Sequence, residues 1–368
     1  MISIQNNRTF FQKRLLFFTL LALSGLGISP AHALEIPGED DVKWGGFVDT
    51  YYTYDLNSLT TSERNYSHYP FTSQAARHNE FNINLGFLEF TAQSEQMRGR
   101  FAIQTGTSVP VGYSTTEGTS LSKIQEAYAG YHIAPGMWID AGIFFSHIGF
   151  ESWISRENWT YTRCLFTDQI PYFQTGVKIS YDQEGPWAFE LHLLNGWSSV
   201  FNTNPSRSLG LHADYRIHPK LTLTYNNFYG LISNDLPRLY QEVYATFVLT
   251  QNWSLILSSE YGLQKLPSQN WASWGSAELV TRYQLTPTLS LAYRLETFID
   301  PKGVIEQTST PRGYTLSSTS FGFNSQLTPQ LLWRGELRGY LAPDAIFKAH
   351  SQNSRQDASL TTSLSVSF

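Results

Sequence analysis

The chain has 368 residues with 25 Lys and Arg against 30 Asp and Glu, a formal charge of −5 that is modest, dispersed and without the basic patch that nucleic acid requires. Charged residues make up only 15% of it and aromatics another 15%, whereas a soluble domain usually carries about 25% charge. That deficit fits a large surface facing lipid, with Tyr and Trp at the water boundary. A single cysteine, Cys164, excludes an intramolecular disulfide.

At the start of the chain, Arg8, Lys13 and Arg14 precede an apolar run from Leu15 to Ile28 and then Ala31-His32-Ala33. This order predicts a signal peptide over residues 1–33, cleaved after Ala33, with 34–368 as one domain. The run, about 13 apolar residues broken by Ser24, Gly25 and Gly27, falls short of the roughly 20 that span a membrane as a helix. No later stretch comes closer, so a helical membrane protein is excluded and a secreted chain remains.

Along residues 34–368 short turns alternate with longer polar loops. The turns are a segment near Glu95 to Gly99, then Ala134-Pro135-Gly136, Gly185-Pro186, His218-Pro219-Lys220, Gln251-Asn252, Thr286-Pro287 and Thr328-Pro329. The loops are 55–78, 110–123, 148–172, 198–207, 232–238, 264–274, 300–315 and 342–356. The sequence therefore predicts an all-β, antiparallel, up-and-down transmembrane barrel of about 16 strands, each roughly 9 to 12 residues long, with both termini on the short-turn, periplasmic side. In the first half the pattern is less regular, and the strand from Phe81 is expected to change phase between Phe87 and Leu88.

The second half alternates with a two-residue period. Leu209, Leu211, Ala213, Tyr215 and Ile217 oppose His212, Asp214 and Arg216; Leu289, Leu291, Tyr293, Leu295 and Ile299 oppose Ser290, Arg294 and Glu296. Eleven charges share the polar phase: Asp214, Arg216, Glu242, Glu260, Glu278, Arg282, Arg294, Glu296, Arg334, Glu336 and Arg338. They are expected to line a polar lumen, and with six acidic and five basic residues they indicate no ion preference. The last strand alternates Leu360, Thr362, Leu364, Val366 and Phe368 with serines and a threonine, and its terminal Phe368 is expected to serve as the barrel insertion signal.

No motif points to a catalytic centre, a cofactor or a metal: there is no Gly-rich phosphate loop, no His-Glu-x-x-His and no Gly-x-Ser-x-Gly. His147 and Cys164 read as structural residues. Loop 148–172 is the candidate channel constriction, because it combines Glu151, Arg156, Glu157, Arg163 and Asp168 with Trp153, Trp159, Tyr161 and Phe166. Folded inward, such a loop narrows a lumen and places charges of both signs beside the solute.

Several segments carry a family likeness: Gly45 to Tyr52, Asn79-Glu80-Phe81, Gln125-Glu126-Ala127-Tyr128, Ile139-Asp140-Ala141-Gly142, Gly149-Phe150-Glu151-Ser152, Gln174-Thr175-Gly176-Val177 and Leu194-Asn195-Gly196-Trp197. Together they resemble the β-barrel porins of the OmpL-like outer-membrane family, most closely from 124 to 197; Cys164 departs from the small polar residue expected there. The resemblance implies a porin in the bacterial outer membrane, passing small hydrophilic solutes or ions; lipid is an expected partner, and monomer and homo-oligomer both stay open. An outer-membrane barrel enzyme, a structural or adhesive barrel with a blocked lumen, and a soluble β-propeller are the alternatives.

Overall fold

The structure is a computed structural model and describes residues 42–57, 59, 61–64, 72–113, 120–201, 206–232, 236–350 and 352–368. The leader expected over 1–33 lies outside them. Fifteen strands follow in chain order: β1 (Val42–Asp55), β2 (Phe81–Gln93), β3 (Met97–Thr105), β4 (Ile124–Ala134), β5 (Met137–Phe145), β6 (Phe173–Asp182), β7 (Trp187–Leu194), β8 (Ser208–His218), β9 (Leu221–Ile232), β10 (Leu236–Val248), β11 (Trp253–Lys265), β12 (Trp271–Thr286), β13 (Leu289–Asp300), β14 (Tyr314–Gln326) and β15 (Leu331–Leu341). A small hairpin, β16 (Phe347–Ala349) and β17 (Gln352–Ser354), interrupts the last loop before β18 (Gln356–Ser367).

Each barrel strand pairs antiparallel with its neighbours, and β18 pairs with both β15 and β1, closing a sixteen-strand barrel with no free edge. No helix among the described residues is long and apolar enough to cross a membrane. The wall is inside-out relative to a soluble protein. Along β13 the polar Ser290, Arg294 and Glu296 are buried, while Tyr293, Leu295 and Ile299 are exposed. An apolar outer band with a polar inner face is stable only where lipid replaces water.

The last residue extends the closing ladder between β1 and β18, which runs from Asp55↔Ser359 to Phe47↔Ser367. Phe368 donates its N–H to the Gly46 carbonyl at 3.0 Å and accepts from the Gly46 N–H at 2.9 Å. Its ring lies over Gly46 so closely that a Cβ there would come within 2.4 Å of it. A larger residue at position 46 would push that ring, which is 56% exposed, out of its present packing.

Three expectations need correction. The phase change in β2 is not between Phe87 and Leu88: the register slips opposite Asp49 and Thr50, leaving Asn84 as the extra residue. A bulge of this kind reverses the faces; Ile83 is exposed, Leu85 and Phe87 are buried, and the Asn84 amide donates to Asp49 at 2.8 Å. The loop between β11 and β12 is also shorter than expected, because its ladder continues to Lys265↔Trp271. Finally, the inner face is not polar along its whole height: Phe228, Tyr240, Trp274, Phe298, Tyr314 and Tyr340 are buried inside, towards the long-loop end, in one cluster with Leu165 and Phe166. Apolar side chains can occupy inner-face positions here because a loop packs against them in place of water.

Candidate functional site: a loop docked across the lumen

Phe145 and Phe173 are register partners, so the segment between β5 and β6 leaves and rejoins the wall at one place, its neck held by Ser146 N–H donating to Tyr172 O at 3.1 Å. His147 fixes the exit, with Nδ1 2.7 Å from Gln174 Oε1 and Nε2 2.7 Å from Asn227 O. Burial and the stacked His192, 4.2 Å away between ring centroids, push its pKa down to about 3, so the ring is neutral. Gly149 then turns the chain inward at φ 93°, a conformation that favours glycine, and its N–H donates to Glu242 at 2.8 Å.

Beyond Gly149 the loop crosses to strands β13–β15, half-way around the sixteen-strand wall from β5 and β6. Thr162 donates through its N–H and its hydroxyl to Glu336, both at 2.7 Å, and Leu165 N–H donates to Glu296. Arg294, with no solvent exposure, donates to Thr160 Oγ1 at 2.9 Å, Thr162 O at 2.6 Å and Thr162 Oγ1 at 2.8 Å. Arg334 holds the carbonyls of Ser155 and Asn158, and Asn324 holds that of Trp159. Loop carbonyls and N–H groups that a lumen would otherwise leave to water are thus paired with the wall.

Glu151, Arg163 and Asp168 lie within the body of the loop and hold it together. Glu151 accepts from Cys164 N–H at 2.7 Å and faces Arg294 at 3.7 Å. Burial raises its pKa, against the lowering effect of Arg294. The Arg163 guanidinium is stacked 4.6 Å from the Trp153 ring and 4.3 Å from the Tyr172 ring. Asp168 accepts from the Ser73 hydroxyl and from Tyr172 Oη at 3.1 Å, and burial raises its pKa. Arg156 and Glu157 are elsewhere: Arg156 reaches the short-turn rim and donates to Gln330 O at 2.6 Å and Pro329 O at 2.7 Å, and Glu157 is exposed. The five residues therefore do not form one charged ring.

Of the eleven wall charges, Arg294, Glu296, Glu336 and Arg338 form one buried network, Arg338 donating to Glu296 at 2.6 Å. Arg334 joins it through the loop. Glu242, Glu260 and Glu278 line β10–β12, Arg282 lies 5.1 Å from the Trp159 ring, Asp214 is bound by Thr224, and Arg216 pairs with Asp182 at 2.8 Å on the rim. Sequence reading missed the inner-face partners on β2–β7, where Arg98 pairs with Asp140, Arg100 bridges Glu89 and Glu126, and Lys178 meets Glu190. The same two-residue alternation marks Lys178–Ser180 and Glu190–His192, although bulges in the first half obscure it.

A closed antiparallel barrel of sixteen strands, apolar outside and polar inside, with a long loop folded into its bore, defines an outer-membrane porin. The family description "Putative beta-barrel porin-2, OmpL-like" matches residues 41–368, and the chain belongs to that family. No curated protein sequence matches it. Among solved structures it is similar to the outer membrane channel DcaP of Acinetobacter baumannii, at 13% identity and TM-score 0.61 over 90% of this chain and 99% of that one. It is likewise similar to Salmonella typhi OmpF in complex with daunomycin, at 13% identity and TM-score 0.58 over 90% and 100% of the two chains. An anion-selective porin from Comamonas acidovorans aligns at 11% identity and TM-score 0.56 over 89% and 99%.

Proposed function

We propose that this porin conducts small hydrophilic solutes or ions passively, performs no enzymatic reaction, and uses loop 148–172 as its constriction. The observation that carries the reading is the mode of docking: the loop is tied to the far wall by side-chain contacts alone and can move without breaking the barrel's backbone ladder. Residues 1–33 are a signal peptide removed after Ala33, and intact mass of the membrane-inserted protein tests that cleavage. Phe368 is the insertion signal.

One observation favours a second reading, a structural barrel with a blocked bore: Arg294, Arg334, Arg338, Glu296 and Glu336 are all buried beneath the loop. Planar-bilayer recording of purified protein separates the two. Stepwise single-channel currents support the pore; a folded barrel that never conducts supports the blocked reading.

A further inference from the structure

The charges of the inner wall are paired on β2–β7 and on β13–β15, but not on β10–β12 between them. On β13–β15 every arginine is engaged, Arg294 and Arg338 by carboxylates and Arg334 by loop carbonyls. On β10–β12, Glu242, Glu260 and Glu278 are buried, and none of them forms an ion pair among the described residues; the two arginines of these strands turn to neutral partners instead, Arg238 to Gln264 at 2.8 Å and Arg282 to the Trp159 ring. Glu242 is the direct cross-strand partner of Glu260, and Glu278 that of Glu296; Glu260 and Glu278 are staggered by one step, each opposite a serine. The four carboxylates therefore form one row around four adjacent strands.

Neutral donors satisfy part of this row. Glu242 accepts from Asn226 at 2.9 Å and from Gly149 N–H, Glu260 from Tyr240 Oη at 2.8 Å, and Glu278 from Ser276. One oxygen of each, Glu242 Oε1, Glu260 Oε1 and Glu278 Oε2, is buried without a partner. A second, independent feature lies at the same place. Ser258, 7% exposed, sits on the inner face across from Glu278 and two residues before Glu260, and its hydroxyl is also without a partner. Carboxylate oxygens and a hydroxyl oxygen together make a lining of hard oxygen donors, which suits a cation and repels an anion.

Among the described residues no three carboxylate, His or Cys groups converge tightly enough to hold a metal ion. The row is suited instead to monovalent cations that rest at one carboxylate and step to the next, since conduction needs several weak sites rather than one strong one. We propose that Glu242, Glu260 and Glu278 form a strip that binds monovalent cations and makes this porin cation-selective. The inference rests on the channel reading.

The test is the reversal potential of purified protein in a planar bilayer under a KCl gradient, for wild type and for E260Q/E278Q, with E184Q in an exposed turn as the control. Wild type should favour potassium over chloride. The double variant removes two charges and should lower the permeability ratio at least about fivefold, the factor that one unit charge about 4 Å from an ion contributes in water, and the control should not change it. Anion preference in wild type, or an unchanged ratio in the double variant, overturns the inference and leaves the pore intact. Folded protein without current overturns the channel reading and the inference with it. Should the double variant fail to fold, E242Q is measured in the same way, and an unchanged ratio there is equally fatal.

Discussion

Replacing Arg294 with methionine tests whether the loop is a separable element. Methionine keeps most of the side chain's length and apolar stem but removes three hydrogen bonds to Thr160 and Thr162 and one, at 3.1 Å, to Glu336. Removing one partner of a buried charge network costs about 3 to 5 kcal/mol, here softened because Glu296 and Thr162 keep Arg338. Each 1.4 kcal/mol or so is a factor of ten, so the undocked loop should gain roughly two to three orders of magnitude in population. The barrel's backbone ladder is untouched and its heat-modifiable migration should persist. Cys164 supplies the assay: it has no exposure, and burial holds its thiol well above the usual range, so in wild type it should resist maleimide. In Arg294→Met it should label, and single-channel conductance should rise. Folded Arg294→Met with an unreactive Cys164 and wild-type conductance would refute the idea that this arginine docks the loop.

Three further outcomes follow from the wall and its loops. Leu295 lies mid-strand and 50% exposed on the outer face, so Leu295→Arg should destabilise the barrel by about 2 to 4 kcal/mol in lipid, while Leu291→Arg, nearer the short-turn end, should cost about 1 or less; urea titrations in vesicles compare the two. Deleting Phe368 removes both hydrogen bonds to Gly46 and the ring over it, so the yield of heat-modifiable barrel should fall, and normal yield would count against the insertion-signal assignment. Burial, reinforced by the Asp300 carboxylate, pushes Glu306 up to about 8. A folded-state value above the unfolded one means that the native loop holds the proton, so its stability falls as pH rises between about 4.5 and 8. Proteolysis of loop 301–313 should accelerate over that window in wild type and stay level in Glu306→Gln.

What could be read from the sequence was governed by local period. Alternation along β8 to β15 follows from side chains pointing to opposite faces, and Arg294 and Glu296 sit where that rule places them. In β2 one extra residue, Asn84, inverts the rule, and nothing in Phe81–Phe87 marks which residue bulges. The path of loop 148–172 was not legible either. Its charges announced an inward fold, but the partners of Thr162, Leu165 and Ser155 are more than a hundred positions away in the chain, and only closure of the barrel brings them together. Arg156 looked like a constriction residue because it shares a short segment with Arg163; the loop's descent carries it to the rim at Gln330 instead. Phe298 and Trp274 occupy the inner phase, and their packing on Leu165 and Phe166 could not be read without that path.

The docked loop also has a mechanical consequence. A sixteen-strand cylinder is a closed hoop of hydrogen-bonded strands one layer thick. A segment fastened at β5–β6 and again at β13–β15 acts as a tie-rod across the diameter: squeezing the hoop would strain the bonds that Arg294, Arg334 and Glu336 make to it. The cross-section is thereby held near one shape, and the spacing between the facing rows of charge is held with it.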